Sequence, residues 1–195
     1  MPMPTIPQQL KTELRTARLL LRCPREGDGP LVHEAVVESL DALRAWPASL
    51  PWAMQEPSVA VSESFCRNSA AGFAQGTALV YLAFDAEGKW VASTSLHSIN
   101  WNVPKFEVGF WCRSSLAGQG YTKEALAALM GYAFASLGAQ RVEAFTDEAN
   151  TGSRAVCASV GMRLEGVLQN ERITPAGSLR NTCVYAAVGH GAKAR

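Results

Sequence analysis

Apolar and polar residues alternate over short runs in the middle of the chain. Three such runs follow one another, and Ala86, Glu87 and Gly88 form a tight turn between the first two. The pattern predicts three antiparallel strands in a meander, over residues 77–85, 90–99 and 105–112.

Other segments have apolar residues three or four positions apart, which predicts helices. These helices span about residues 31–40, 59–75, 121–137 and 152–160, and further strands are expected over residues 18–23, 141–146, 163–173 and 180–188. A meander followed by strand, helix, strand, helix predicts an α/β (α+β) fold. We expect a mixed, mostly antiparallel central sheet of about seven strands with helices on both faces.

Length and composition indicate one globular domain over residues 1–195, with an ordered core over about 10–188 and a polar tail after it. Hydrophobic residues make up 48% of the 195 positions and charged residues 18%, which excludes a disordered chain. Eighteen Lys and Arg against 17 Asp and Glu give a net charge of +1, which argues against direct nucleic-acid contact.

No apolar stretch reaches the roughly 18 residues of a membrane span. The first ten residues have no basic residue ahead of an apolar run, so we expect no secretory signal and a cytoplasmic location. The five cysteines are scattered and never form a C-x-x-C pair. This argues against a disulfide framework or a zinc site, and predicts reduced core thiols and no bound metal.

Two segments carry candidate chemistry. Residues 41–58 contain Trp46 and Trp52 among three prolines, which predicts short helical pieces that line a pocket. Near the middle, a predicted strand runs through Gly118 and Gly120 directly into a helix, an arrangement suited to binding an anion such as a phosphate. The turn by itself is equally compatible with a simple chain reversal. Lys123 stands where a dinucleotide fingerprint needs its third glycine, and no Walker A motif occurs.

A second motif follows the next strand, with Asn150, Ser153, Gly161 with Met162, and Glu165 with Gly166 in order. Together with the glycine turn, this pattern resembles the GNAT superfamily of acyl-CoA-dependent N-acetyltransferases, in its RimJ/RimL branch. The resemblance covers nearly the whole chain. It implies a GNAT fold, acetyl-CoA as cosubstrate and direct acetyl transfer to a primary amine.

The resemblance also implies site residues. The strands over 105–112 and 141–146 would separate, so that the pantetheine arm of coenzyme A enters between them. Asn150 would bind the pantetheine amide, and Ser153 would lie beside the sulfur and protonate the leaving thiolate. The main-chain groups that would hold the pantetheine arm and the pyrophosphate belong to Phe110, Trp111 and Cys112, and to Gly118, Gln119, Gly120, Tyr121 and Thr122.

Alternatives remain at several positions. Asn150 is equally suited to capping the helix that follows it. Glu107 shares a strand face with Gly109 and Trp111, where apolar surroundings would suit a general base acting directly or through a water, but it is also compatible with a charge that reaches solvent. The three histidines show no pairing with Cys or Ser, and the sequence assigns them no catalytic role.

The chain departs from the family pattern before the glycine turn, because Ser115 and Ala117 stand where basic residues are usual. Loss of those cations would weaken coenzyme A binding. Arg113, Lys123 and Arg154 are the candidates to replace them.

The acceptor is expected to be an α-amino group. At pH 7 an α-amine loses its proton at a cost of about 1 kcal/mol, against about 4.6 kcal/mol for a lysine. A peptide amino terminus would bind between residues 46–52 and the loop between Ile173 and Arg180. A small amine or antibiotic, a non-catalytic acyl-CoA sensor, and an interaction-only module remain alternatives, and a second copy of the chain is a candidate partner in a homodimer.

Overall fold

The computed structural model describes residues 9–189, so the first eight residues and the predicted tail beyond residue 189 lie outside the described part. Eight strands in this part form one sheet in the order β1-β2-β3-β4-β5-β6-β8-β7. Their bounds are β1 Glu13–Arg15, β2 Leu20–Arg22, β3 Leu79–Phe84, β4 Trp90–Asn100, β5 Lys105–Cys112, β6 Arg141–Asp147, β7 Arg163–Ile173 and β8 Leu179–Val188.

Four α-helices accompany the sheet. They are α1 Gly29–Arg44, α2 Val59–Gln75, α3 Tyr121–Ser136 and α4 Thr151–Ser159. Two short 3-10 helices, Pro51–Met54 and Ser114–Leu116, lie between them in the chain. Ser58 begins α2 by accepting a hydrogen bond from the Val61 N–H, and Gly76 ends it in a left-handed conformation.

Neighbouring strands run antiparallel except for β5 and β6, which are parallel and joined through α3. The predicted mixed, mostly antiparallel sheet is therefore confirmed. The sequence predicted about seven strands, and the additional one is β1. It spans only three residues, too few to produce a clear alternation.

The core divides between the two faces of the sheet because side chains alternate along each strand. Leu79 and Tyr81 of β3 pack in a cluster that includes Leu126 and Leu129 of α3. Leu82 of β3 packs instead with residues of α1 and α2. Helices thus cover both faces, as the pattern of strands and helices predicted.

Candidate active site

The pairing between β5 and β6 stops part-way along the two strands. Only three residue pairs join them, the last being Glu107 with Glu143. Beyond this point β5 pairs with β4 as far as Cys112, and β6 pairs with β8 as far as Asp147. A gap therefore opens inside the sheet, as the resemblance implied. The main chain of β5 after Glu107 borders this gap.

A cavity of about 590 Å³ lies at this gap. It brings together many of the residues singled out in the sequence, although they come from three distant segments. Those that line it are Trp46, Trp52, Glu107, Phe110, Trp111, Asn150 and Ser153. Cys112 and residues 118–122 lie outside the lining, at the end of β5 and the start of α3.

The two faces of β5 have different surroundings. Phe106 and Val108 are buried in the cluster that includes α3, and Phe110 packs against the same cluster. Trp111 packs instead against the cluster formed with α1 and α2, and Glu107 and Gly109 share its face of the strand. Val108 and Phe110 also border the cavity, where the strands separate. The predicted alternation of this strand is therefore confirmed.

Glu107 faces the cavity with 23% of its side chain exposed, and its Oε2 lies 3.8 Å from the Nδ1 of His97. Sequence reasoning gave His97 no role. Ser93, Ser95 and His97 occupy every second position of β4 and all line the cavity. This polar alternation was the signal in the sequence that could have identified His97.

Asn150 caps α4, since its Oδ1 accepts a hydrogen bond of 2.9 Å from the Ser153 N–H. The capping role left open in the sequence is therefore present. It is compatible with ligand binding, because the bond uses Oδ1 and leaves the Nδ2 hydrogens as donors. Asn150 and Ser153 both line the cavity.

The loop before α4 is held by Asp147, which is 4% exposed. Arg180 binds both carboxylate oxygens, at 2.6 and 2.8 Å, and its hydrogen bonds lower the pKa of Asp147. Asp147 also accepts the Ala149 N–H at 2.9 Å. This buried ion pair fixes where α4 begins, and so where Asn150 and Ser153 lie.

The glycine turn has the backbone conformation that its sequence requires. Gly118 and Gly120 have φ values of +77° and +79°, in the left-handed region that favours glycine. No side chain caps α3, so the N–H groups of its first turn have no capping partner. A Cβ added to Gly118 would meet nothing within 4 Å, so the turn is open to a ligand. These features fit an anion such as a diphosphate.

Two of the basic residues predicted to replace the missing cations, Arg113 and Arg154, contact other parts of the protein. Arg113 is buried and pairs with Glu34 and Glu38, and Arg154 donates to the Glu148 carbonyl and the Tyr185 hydroxyl. Both guanidinium groups therefore have protein partners in this structure.

Arg18 lies at the turn instead. Its Nη1 donates to the Gln119 carbonyl at 3.3 Å, its guanidinium lies 4.8 Å from the Tyr121 ring centroid, and its Nε pairs with Glu124 at 2.6 Å. Sequence reasoning missed Arg18 because the two segments are about a hundred residues apart in the chain.

Ser115 connects the segment before the turn to α1. Its N–H and hydroxyl donate to Glu38 Oε1 at 3.2 and 2.7 Å, and Arg113 Nε donates to Glu38 Oε2 at 2.8 Å. Hydrogen bonds from Arg113 and Ser115 lower the pKa of Glu38 to about 2. Ser115, which stands where the resemblance predicted a basic side chain, thus binds the Glu38 carboxylate.

The remaining walls of the cavity are largely apolar. Leu50, Val61 and Phe65 line it beside the two tryptophans, and the Trp52 ring centroid lies 6.1 Å from that of Trp111. The pocket-forming role predicted for residues 46–52 agrees with this lining. The loop between Ile173 and Arg180 does not contribute; Arg172, just before it, does.

Two further findings concern residues 9–189. In this part of the chain no group of His, Cys, Asp and Glu is arranged to hold a metal ion, and no helix is long and apolar enough to cross a membrane. All five cysteines are free, and three of them are buried. Burial raises the pKa of the Cys66 and Cys157 thiols to about 12, which fits the predicted reduced core thiols.

A mixed sheet that splits between two parallel strands, with an open glycine turn at one end of the split, is the architecture of an acyl-CoA-dependent acyltransferase. The acetyltransferase (GNAT) domain family matches residues 18–163, and the chain belongs to this family. The predicted class, an acetyl-CoA-dependent N-acetyltransferase, is confirmed at the level of the family.

One curated protein matches part of this chain. The FsC-acetyl coenzyme A-N(2)-transacetylase of Aspergillus fumigatus is 32% identical over 113 residues, which are 56% of this chain. The chain spans about half the length of this curated relative, 47%.

Solved structures support the fold. RimL, a ribosomal L7/L12 alpha-N-protein acetyltransferase in complex with coenzyme A, matches with a TM-score of 0.83, 22% identity, and coverage of 91% of this chain and 97% of its own. The microcin C7 self-immunity acetyltransferase MccE, in complex with acetyl-CoA and AMP, matches with a TM-score of 0.79, 20% identity, and coverage of 89% and 93%.

Replacing Glu38 by Gln tests the connection between α1 and the turn. The lowered pKa means that the Glu38 carboxylate stabilises the fold above its unfolded pKa, and that this contribution is lost as the pH falls towards about 2. Because the group is partly exposed, we expect a loss of about 1 kcal/mol near neutral pH, or about 2–4 °C in Tm. Thermal melts at about pH 7 and about pH 3 should show a smaller difference at the lower pH. An equal difference at both values would contradict the assignment.

Replacing Gly118 by Ala tests the turn as an anion site. Gly88, in the hairpin between β3 and β4, provides a matched control, because its φ of +78° is the same within a degree and a Cβ there also meets nothing within 4 Å. Both variants should lose about 1 kcal/mol of stability from the backbone conformation. Calorimetry should show weaker coenzyme A binding for Gly118→Ala only. Equal affinity in the two variants would argue against the turn as the diphosphate site.

Proposed function

We propose that the chain transfers the acetyl group of acetyl-CoA to the α-amino group of a protein or peptide, by direct attack of the amine. The observation that carries this proposal is the cavity, which places Glu107 and Ser153 on its lining beside the open stretch of β5. A base and an acid beside the same gap are what acetyl transfer to an ammonium group requires.

The acyl donor would be held by main-chain groups. The pantetheine arm would pair with the β5 backbone at Phe110, Trp111 and Cys112, in the gap beyond Glu107. The diphosphate would bind the N–H groups of residues 118–122, and Asn150 Nδ2 would donate to the pantetheine from the α4 side.

We also propose that Arg18 supplies part of the positive charge that Ser115 and Ala117 lack. Its Nε and Nη1 have protein partners, whereas Nη2 adds two further donors.

The reaction would need three proton transfers: from the ammonium group to Glu107, from Ser153 to the sulfur, and from the nitrogen of the new amide to Ser153. Glu107 accepts the proton of the ammonium group, through a water molecule, and the neutral amine attacks the thioester carbonyl. The N–H groups of β5 beside the gap polarise that carbonyl. Ser153 protonates the departing thiolate.

The acceptor would enter from the side of residues 46–52. The amino group points to Glu107, and the first side chain of the peptide contacts Trp46, Trp52 and Phe65. An α-amine is favoured over a lysine amine because it is deprotonated at lower cost near neutral pH. Homodimerisation and a cytoplasmic location stay predictions from the sequence.

A small amine is the second candidate acceptor, and the size of the cavity favours it. About 590 Å³ lies within the range of small-molecule pockets, and the lining is largely apolar with a few polar groups. Such an acceptor would use the same base, acid and acyl donor, so a comparison of acceptors separates the two proposals.

Replacing Glu107 by Gln tests the base. Thiol release from acetyl-CoA, measured with a panel of peptides and small amines, should fall by about 10²-fold or more, because the amide cannot take up a proton. Coenzyme A affinity, measured by calorimetry, should be unchanged. Equal turnover by both proteins would remove Glu107 from the mechanism. Binding of acetyl-CoA without turnover of any amine by the wild type would favour a sensor.

Replacing Trp52 by Ala tests the acceptor pocket. Trp52 is 43% exposed in the absence of ligand, so its loss should affect folding little. We expect KM for the acceptor to rise about tenfold, the effect of losing roughly 1.4 kcal/mol of contact, while KM for acetyl-CoA stays the same. Val103→Ala, at an exposed apolar residue outside the cavity lining, is the control. An unchanged acceptor KM would place the acceptor elsewhere.

A further inference from the structure

His97 lies on the cavity side of β4, directly opposite Glu107 in the strand register. Its Nδ1 is 3.8 Å from Glu107 Oε2 and 3.4 Å from the hydroxyl oxygen of Ser98, its neighbour in the chain. Within residues 9–189, His97 is the one basic side chain with a nitrogen within 4 Å of the Glu107 carboxylate. Glu143, the neighbour of Glu107 on β6, is instead bound by Lys105 and Arg141. The Glu107 carboxylate is therefore free to interact with the imidazole.

The other ring nitrogen of His97, Nε2, lies next to Gly109, in the part of β5 that borders the gap. A Cβ built on Gly109 would lie 3.1 Å from His97 Nε2 and 3.1 Å from Ser95 Oγ. The imidazole thus occupies the space above Gly109, one residue before Phe110, where the thioester would bind. The absence of a side chain at position 109 is what lets the ring lie there.

The backbone next to His97 contains a β-bulge, which affects the direction of the neighbouring side chains. The register of β4 and β5 shifts between His97 and Asn100, so that two residues of β4 oppose one of β5. Ser98 has a φ of +48°, an unfavourable left-handed conformation for a residue with a Cβ. β-Bulges of this kind redirect side chains and are frequent beside active sites.

We propose that His97 is a catalytic residue of this site and accepts the proton of the acceptor ammonium group directly, while Glu107 is a positioning residue that acts through it. This inference rests on the proposed acetyl transfer and replaces the water between Glu107 and the amine. Glu107 holds the proton of His97 on Nδ1 and leaves the Nε2 lone pair facing the gap. An imidazole is well matched to this task, because its ordinary pKa lies near neutral pH.

The proton and bond changes balance as follows. One N–H bond of the ammonium breaks, its proton passes to Nε2, and the freed lone pair forms the C–N bond with the thioester carbonyl carbon. The C–S bond then breaks. Ser153 gives its hydroxyl proton to the sulfur and takes one from the new amide nitrogen. The imidazolium, paired with Glu107, finally releases its proton to solvent.

The distance between His97 and Glu107 exceeds a hydrogen bond in this structure. Catalytic hydrogen bonds are often long before the substrates bind and shorten in the complex. Both side chains border the cavity and are partly exposed, at 39% and 23%, so neither is fully enclosed by packing.

The test compares His97→Gln with Glu107→Gln and with the double variant. We expect kcat to fall by about 10²- to 10⁴-fold for His97→Gln and by less for Glu107→Gln, while KM for acetyl-CoA stays the same in both. Because the two side chains act as one unit, the double variant should be no slower than His97→Gln. His33→Gln, the same substitution on α1 outside the cavity lining, is the control and should keep wild-type activity.

Two further measurements separate a proton acceptor from a space-filling residue. Added imidazole should restore part of the activity of His97→Ala, but none of the activity of Glu107→Gln. Nitrogen-15 NMR of the wild type should show His97 with its proton on Nδ1, and this preference should be lost in Glu107→Gln. The NMR result does not require turnover, so it tests the pairing even where no acceptor in the panel reacts.

The possible results are distinct. If His97→Gln keeps activity while Glu107→Gln loses it, Glu107 acts without His97 and the inference is overturned. It is also overturned if the tautomer of His97 is the same in wild type and Glu107→Gln. If the wild type binds acetyl-CoA but acetylates no amine, the proposed function itself fails, and the catalytic role of His97 fails with it.

Discussion

The incomplete pairing of β5 with β6 is the constraint on which the candidate site depends. Pairing is secured at its closed end, where Phe106 and Val142 are fully buried on one face and Glu143 is bound by Lys105 and Arg141 on the other. Burial alone would raise the pKa of Glu143, but these two cations outweigh it and keep the carboxylate charged. Beyond this point the strands have other partners, so the sheet opens without leaving either strand unpaired on both sides.

Each strand at the opening leads directly into one part of the site. β5 continues into residues 113–115, which are attached to α1 by hydrogen bonds from Arg113 and Ser115 to Glu38. The glycine turn follows this segment. β6 ends at Asp147, whose ion pair with Arg180 fixes the start of α4. The two ion pairs hold opposite sides of the same gap. Part of the apolar lining of the cavity, by contrast, comes from residues 46–65, which include exposed apolar side chains such as Trp52 and Phe65.

The resemblance predicted basic residues before the glycine turn, and this chain has Ser115 and Ala117 there. Ser115 binds Glu38, so the position before the turn is used to attach α1 and contributes no cation. Arg18 reaches the turn from the loop between β1 and β2. Gly118 and Gly120 adopt left-handed φ values because they have no Cβ. Their backbone conformation therefore does not depend on which charged side chains lie nearby.

Local patterns determined most of the fold and part of the site. Strand alternation placed Glu107, Gly109 and Trp111 on one face, and the glycines marked the turn before α3, because both signals arise from neighbouring residues. The sequence did not determine that Arg18 would lie at the turn, that Arg113 and Arg154 would be bound elsewhere, or that His97 would face Glu107. Those contacts join residues from 6 to 101 positions apart in the chain. They depend on strand register, on the bulge at Ser98 and on the order of strands, and only the tertiary structure decides these.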